Sequence, residues 1–175
     1  MSTPARYDAV ARLLHWLIVT LVVAQFVIGW TMPDVHRDTQ PAGLIAAHLI
    51  VGTALLAAMA CRVLWRATHR PPPDALSPTM RRLSGATHVA LYALLVAVPL
   101  LGWINASSRA WSVTLLGIVP LPALSAAGSG FGHAMGDVHG ILAWVLFGGI
   151  CLHVAAALAH RFVLRDGVMQ RMMPW

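Results

Sequence analysis

Nine histidines punctuate a chain of 175 residues that carries only 12 basic and 6 acidic side chains. Five of them, His15, His48, His88, His139 and His153, fall inside long uncharged runs; His36 and His69 lie in loops, and His133 and His160 near edges. An ionisable group in apolar surroundings is costly and marks a functional site by default. His139 and His153 stand 14 residues apart. On a helix that is just short of four full turns, so both rings share a face, about 21 Å apart along the axis. One helix therefore offers two imidazoles to two separate centres, one toward each end. Zinc would want four ligands at one level, with thiolate or carboxylate help. Here each level offers two or three histidines, and Cys151 points away from its neighbour His153. Two imidazoles per metal is instead the ligand set of six-coordinate haem iron, whose closed coordination favours electron transfer over oxygen binding.

The elements that position these rings follow from composition. Hydrophobic residues make up 58% and charged residues 10%, against roughly 45–50% and about 25% in soluble domains. So few charges cannot dress a water-soluble surface, which excludes an ordinary soluble enzyme and a nucleic-acid binder and leaves an integral membrane protein facing lipid. Uncharged windows run from Leu13 to Pro33, Thr39 to Cys61, Leu83 to Ser108 and Val138 to His160. Each is long enough for the bilayer core, which takes about 20 helical residues. The first is too long for a signal-peptide core and is followed by no A-x-A site. The expectation is an all-α, up-and-down, four-helix membrane bundle forming a single domain over 1–175, with spans at about 10–32, 41–65, 81–105 and 136–161. The stretch Ala110–Gly136 holds Pro120, Pro122 and a glycine-rich run. It is expected as an extramembrane loop, about 106–135, with a short interfacial helix around Trp111–Ile118. This loop is expected to cover the outer centre. Pro71–Pro73 with Ser77 and Pro78 marks a stiff inner loop.

All basic residues are arginines and all acidic ones aspartates. Arg6 and Arg12, then Arg66, Arg70, Arg81 and Arg82, then Arg161, Arg165 and Arg171 cluster on one side. Arg37 and Arg109 lie alone in the other two loops. The positive-inside rule puts both termini in the cytoplasm, the third loop in the periplasm, and Trp16, Trp30, Trp65 and Trp103 at span ends as anchors. Cys61 and Cys151 read as small buried apolar filler.

Levels can then be matched. His48 stands in the outer half of the second span, level with His139. His153 stands in the inner half of the fourth, and both His15 and His88 begin spans at that level. Depth leaves this choice open and leans slightly to His88. Equalising the depths of His48 and His139 places the membrane edge at Arg66, so Arg62 sits about one turn inside it. A buried arginine wants an anion, and a haem propionate would serve. Gly52, Gly140 and Gly149 flank the ligands and permit close approach of a flat macrocycle.

The run Arg12-Leu13-Leu14-His15-Trp16, His48 followed by Gly52, His139 and His153 at their spacing, and the ending Arg171-Met172-Met173-Pro174 resemble the bacterial cytochrome b-561 family over essentially the whole chain. The resemblance implies a di-haem b protein of the bacterial inner membrane that exchanges electrons with ubiquinone. It implies that His48 and His139 bind the periplasmic haem and His15 and His153 the cytoplasmic one, with His88 lining the inner haem or a quinone pocket. One activity it implies is superoxide oxidation at the outer face with ubiquinone as acceptor. The absence of lysine passes any substrate role of an outer cation to Arg37 or Arg109, with His36 and His133 beside them. The expected function is an electron relay between the two faces, with no protein partner required. Two alternatives are a haem-b subunit docked to a hydrogenase or dehydrogenase, and a histidine-lined metal or proton transporter. No acidic residue lies in mid-span, which disfavours the transporter.

Overall fold

A computed structural model describes residues 6–73 and 76–173. Four helices dominate it: α1 (Ala9–Thr31), α2 (Gly43–Thr68), α3 (Pro78–Ser108) and α4 (Gly130–Ala159). All four are long and apolar enough to cross a membrane. Helix α4 runs on into a π-helical turn, His160–Leu164, and a 3-10 turn, Met169–Arg171, closes the chain.

The helix starts are set by side-chain oxygens on otherwise orphaned amides. Asp8 accepts from the Ala11 N–H at 2.8 Å, Ser77 from Met80 at 3.4 Å with Pro78 following, and Ser129 from Gly132 at 3.2 Å. Asp8 also accepts from Trp65 Nε1 at 3.1 Å, which ties the start of α1 to the end of α2. Its carboxyl is held below the usual range, first by the Ala11 amide, which together with the Trp65 indole outweighs the opposing cost of burial.

Sequential helices pack as neighbours, α1 on α2, α2 on α3 and α3 on α4. Their common core is Ile18, Val22, Leu55, Ala58, Met59, Leu91, Leu95, Val98 and Leu146. Leu146 lies midway along α4 between His139 and His153, so this apolar plug separates the two histidine levels. The outward faces are apolar as well: Leu13, Leu64, Val89, Ile141 and Leu152 are all exposed. In water that would be untenable; in a bilayer lipid covers it.

Both termini meet at one end, called here the tail end. The Tyr7 N–H donates to Arg171 O, Arg6 and Arg12 donate to Met173 O, and Trp16 Nε1 donates to Met172 O. Arg171 reaches the Pro72 and Pro73 carbonyls and stacks over Tyr7, so the last turn also clamps the proline-rich loop. Pro174 of the tail motif lies outside the described residues.

Several expectations need correction. No helix forms around Trp111–Ile118; that segment is an antiparallel hairpin of β1 (Thr114–Leu115) and β2 (Val119–Pro120). Three residues, Leu116, Gly117 and Ile118, connect the strands; Leu116 and Gly117 turn the chain with φ of 53° and 75°, and the Ile118 N–H donates to Leu115 O at 3.1 Å. Helix α3 extends to Ser108 and α4 begins at Gly130, so the connecting loop is shorter than expected at both ends. The glycines there serve packing: a Cβ on Gly132 would lie 2.5 Å from Ser108 Cβ, and one on Gly136 2.7 Å from Asn105. Cys61 and Cys151 are exposed on the outer faces of their helices rather than buried. Trp103 is no interfacial anchor, because its indole nitrogen is buried.

Crowding at the α3–α4 contact gives the first expectation. Gly132→Ala should lower detergent-solubilised thermal stability by about 1–3 kcal/mol, the usual cost of overpacking. Gly128→Ser, at the exposed turn where φ is +75° but space is open, should cost less in the same melt.

Candidate functional site

At the end opposite the termini, α2 and α4 bring His48 and His139 face to face. Their ring centroids are 6.0 Å apart with planes at 76°. A metal–imidazole nitrogen bond is about 2.0–2.1 Å, so rings on opposite sides of one metal stand with centroids roughly 6 Å apart. His139 is also oriented as a ligand should be. Its Nδ1–H donates to the Val98 carbonyl at 2.8 Å, which leaves Nε2 as the free lone pair and follows the usual outer support of a metal-bound imidazole.

Two glycines make room for these rings. A Cβ on Gly102 would lie 3.1 Å from the His139 ring, and one on Gly29 3.4 Å from the His48 ring. On one side of the imidazole pair is a cavity of about 240 Å³ walled by Gly29, Trp30, Gly140 and Trp144. On the other is a smaller one of about 30 Å³ walled by Gly52, Gly102, Trp103 and Val113. Gln25, His48, Pro99 and His139 wall both. Trp30 and Trp144 stack across the α1–α4 seam, centroids 6.0 Å apart. Three buried polar atoms here lack partners: His48 Nδ1, Gln25 Oε1 and Trp103 Nε1. Opposed imidazoles, space on both sides of the line joining them, and an unmet indole donor at Trp103 are what an iron tetrapyrrole with acidic side arms would use. The residues present fit that group.

The hairpin loop packs over this level. Val113 lines the smaller cavity, Thr53 Oγ1 donates to Thr114 O at 3.0 Å, and a Cβ on Gly117 would touch Ile50. Arg109 donates to His36 O at 3.1 Å and to Asn105 Oδ1 at 3.2 Å and lies over Trp111, whose indole donates to Thr39 O. Arg37, His36 and His133 are exposed around it.

The tail-end level is built differently. His153 meets His88 of α3, with ring centroids 5.4 Å apart and planes at 82°. His88 Nδ1 is 2.6 Å from Ser84 O, so it too carries its proton there and leaves Nε2 free. His15 does not make ring contact with His153. It leans edge-on to Trp16 at 5.6 Å, and Arg62, His153 and His88 are the charged or chargeable groups around it. Three imidazoles thus share a level where one iron takes two. His15 and His153 are half-buried, and His88 is exposed. Arg62 is buried, 9% exposed, and donates to Tyr92 OH at 2.8 Å and Ala11 O at 3.0 Å. Both acceptors are neutral, so its charge still calls for an anion.

Beyond the membrane span at this end, Asp166 accepts from His160 at 2.5 Å and from the Val168 amide at 3.1 Å. Burial opposes its ionisation, but these bonds outweigh it and hold the carboxyl below the usual range.

Of the residues singled out beforehand, His48, His139, Gly52 and Gly140 converge at one level. His15, His88, His153 and Arg62 converge at the other, and Gly149 packs against Leu91. Gln25, Gly29, Gly102 and the Val98 carbonyl escaped sequence reasoning. The first is neutral, the glycines are spaced like ordinary packing glycines, and a carbonyl has no sequence signature.

Among the described residues no three His, Cys, Asp or Glu side chains gather to hold a metal by themselves. What the bundle offers instead is imidazoles in facing positions at two depths, the layout of a membrane cytochrome that carries its iron in tetrapyrroles between helices. The chain belongs to the prokaryotic cytochrome b561 family, whose match covers residues 6–175. It is 30% identical over 176 residues to cytochrome b561 homolog 2 of Escherichia coli K12, covering 98% of this chain and 93% of that one. It is 29% identical over 175 residues to the probable superoxide oxidase CybB of Yersinia pestis, covering 97% and 96%. It is 28% identical over 178 residues to cytochrome b562 of Cereibacter sphaeroides, covering 99% and 98%. The protein is a b-type haem, electron-transfer protein, multi-pass in the bacterial inner membrane.

The close approach at Gly102 can be tested on pigment. Gly102→Ala should push the His139 ring and lower the haem retained per chain after detergent extraction. Gly85→Ala, where a Cβ meets nothing within 4 Å, should retain the wild-type amount.

Proposed function

We propose that this chain carries two b haems, one at each histidine level, and moves electrons from superoxide at the loop end to ubiquinone at the tail end. The observation that carries this reading is the opposition of His48 and His139 at 6.0 Å with the second nitrogen of His139 already satisfied. It is supported by a second imidazole level about 21 Å along the same helix. Haem b at each level supplies one-electron carriage.

The chain's own residues account for the rest. His48 and His139 would hold one haem; His153 would hold the other with His15, as family resemblance favours, while His88 would line the same centre. The apolar plug from Ile18 to Leu146 keeps water from the path between levels. At the loop end, Arg109, held in place by Asn105 and the His36 carbonyl, and exposed Arg37 present positive charge that attracts an anion. At the tail end, Arg62 is buried beside three imidazoles and would pair with a haem propionate. Its charge favours an added electron there, which biases flow from loop end to tail end. The arginine distribution puts the tail end, with both termini, in the cytoplasm. Two superoxide ions each give up one electron and leave as dioxygen; one ubiquinone takes both electrons with two protons and leaves as ubiquinol. The name of the Yersinia relative supports the superoxide step, and no protein partner is needed for it.

The purified chain should show two haems per polypeptide and reduce ubiquinone when superoxide is generated enzymatically. His48→Ala and His139→Ala should each lose the same haem, and His153→Ala and His15→Ala the other. His88→Ala should keep both. A colourless chain refutes the proposal. Loss of the tail-end haem from His88→Ala, with His15→Ala fully loaded, reverses the inner pairing.

A further inference from the structure

The two loop-end imidazoles are supported unequally. His139 gives its Nδ1 proton to Val98 O, whereas His48 Nδ1 is buried and has no partner. An imidazole that commits one nitrogen to a metal carries its proton on the other, and that proton must go to an acceptor. Left unmade, such a bond leaves a buried donor unsatisfied in a low-dielectric interior, which is unfavourable.

One acceptor lies in the same cavity wall. Gln25 of α1 donates through Nε2 to the backbone carbonyl of His48 itself at 3.1 Å. A carbonyl can only accept, so this bond fixes which end of the amide is nitrogen and leaves Oε1 as the outward atom. That oxygen is a buried, unpartnered acceptor in the same cavity wall, where His48 Nδ1 and Trp103 Nε1 are the unpartnered donors. The His48 ring already faces α1: a Cβ on Gly29 would stand 3.4 Å from its Cε1 and 3.6 Å from its Nδ1. Gly29 is one turn from Gln25 on the same helical face. Gly52, one turn after His48, is close enough that its Cβ would lie 3.4 Å from Gln25 Nε2, so the amide is confined to this seam.

We infer that Gln25 is the positioning residue of His48: it clamps the backbone carbonyl of His48 with its amide N–H, and its amide oxygen accepts the Nδ1 proton when Nε2 is committed to iron. The inference rests on the di-haem reading and adds to it a control on one haem only. An imidazole that donates a strong hydrogen bond from its distal nitrogen becomes a better electron donor to the metal and stabilises the oxidised state. Gln25 thereby lowers the potential of the loop-end centre relative to what His48 alone would set.

The test is redox titration of the visible bands of the purified holoprotein, with the loop-end haem identified as the one retained in His153→Ala. Gln25→Leu, which removes both bonds, should shift the midpoint of that haem upward and leave the other unmoved. Gln25→Glu, which keeps an acceptor and adds negative charge, should shift the same midpoint downward. Unchanged midpoints in both variants, or shifts of the same sign, overturn the inference while the haem content leaves the di-haem reading standing. A wild-type chain that binds no haem overturns both.

Discussion

The fold answers to one constraint: an imidazole held in a hydrocarbon interior must have both of its nitrogens occupied. Water is absent to do it, and the bundle has few charges to spare. At His139 the Val98 carbonyl takes one nitrogen, and at His88 the Ser84 carbonyl does. In both cases a helix backbone oxygen accepts, so no polar side chain has to be buried for the purpose. The remaining nitrogens belong to rings that meet a partner imidazole across the bundle. A haem iron held by these imidazoles would complete the pairing, and binding it would remove an existing penalty as well as create new bonds. Haem and fold are therefore coupled, as metal and fold are in smaller metalloproteins.

This constraint dictates the packing. Rings must approach across helix axes, so glycine stands where a Cβ would block them, at Gly29 and Gly102. Between the levels the helices meet through large side chains instead, with Met59 fully buried at the centre. The bundle is thus tight in the middle and open at the loop-end level. The cavities flanking His48 and His139 belong to that opening. The tail end is closed from outside by the last turn, where carbonyls of Met172 and Met173 receive Trp16, Arg12 and Arg6. Arg171 then locks that turn onto the proline carbonyls. The Arg-Met-Met tail thus fastens α1, the inner loop and the end of α4 together beside the lower imidazoles.

Much of this was legible in the sequence because the physics is one-dimensional. Uncharged windows locate spans, and the 14-residue interval between His139 and His153 places two rings on one face whatever else the chain does. The parts that failed are those where the decisive neighbour is distant in sequence. The glycine run Ser125–Gly132 reads as irregular backbone, yet α4 starts within it at Gly130, and Gly132 and Gly136 stand where Ser108 and Asn105 of α3 leave no room for a Cβ. Trp111–Ile118 reads as an amphipathic helix, yet it turns at Leu116 and Gly117, and leucine at positive φ carries no turn signature. Spacing could not choose between His15 and His88 either. Both lie at the correct depth, and which ring turns inward depends on the rotation of α1 and α3 about their axes. Ring contact pairs His153 with His88, whereas half-burial and Arg62 set His15 beside them.

The two ends consequently differ in kind. The loop-end level has two imidazoles, no buried charge and neutral groups, Gln25 and Trp103, for its unmet hydrogen bonds. The tail-end level has three imidazoles and a buried guanidinium whose acceptors are a phenol and a carbonyl. In a medium of low dielectric a buried charge is only weakly screened. Arg62 therefore makes the tail-end level more positive than the loop-end level, across a plug that contributes no charge, until an anion such as a haem propionate meets it. Arg171, a second buried guanidinium at the same end, adds to that asymmetry. In the proposed relay the positive charge left at the tail end would favour an electron there, so a four-helix frame that is nearly symmetric in its helices would take its direction from the uneven placement of its buried arginines.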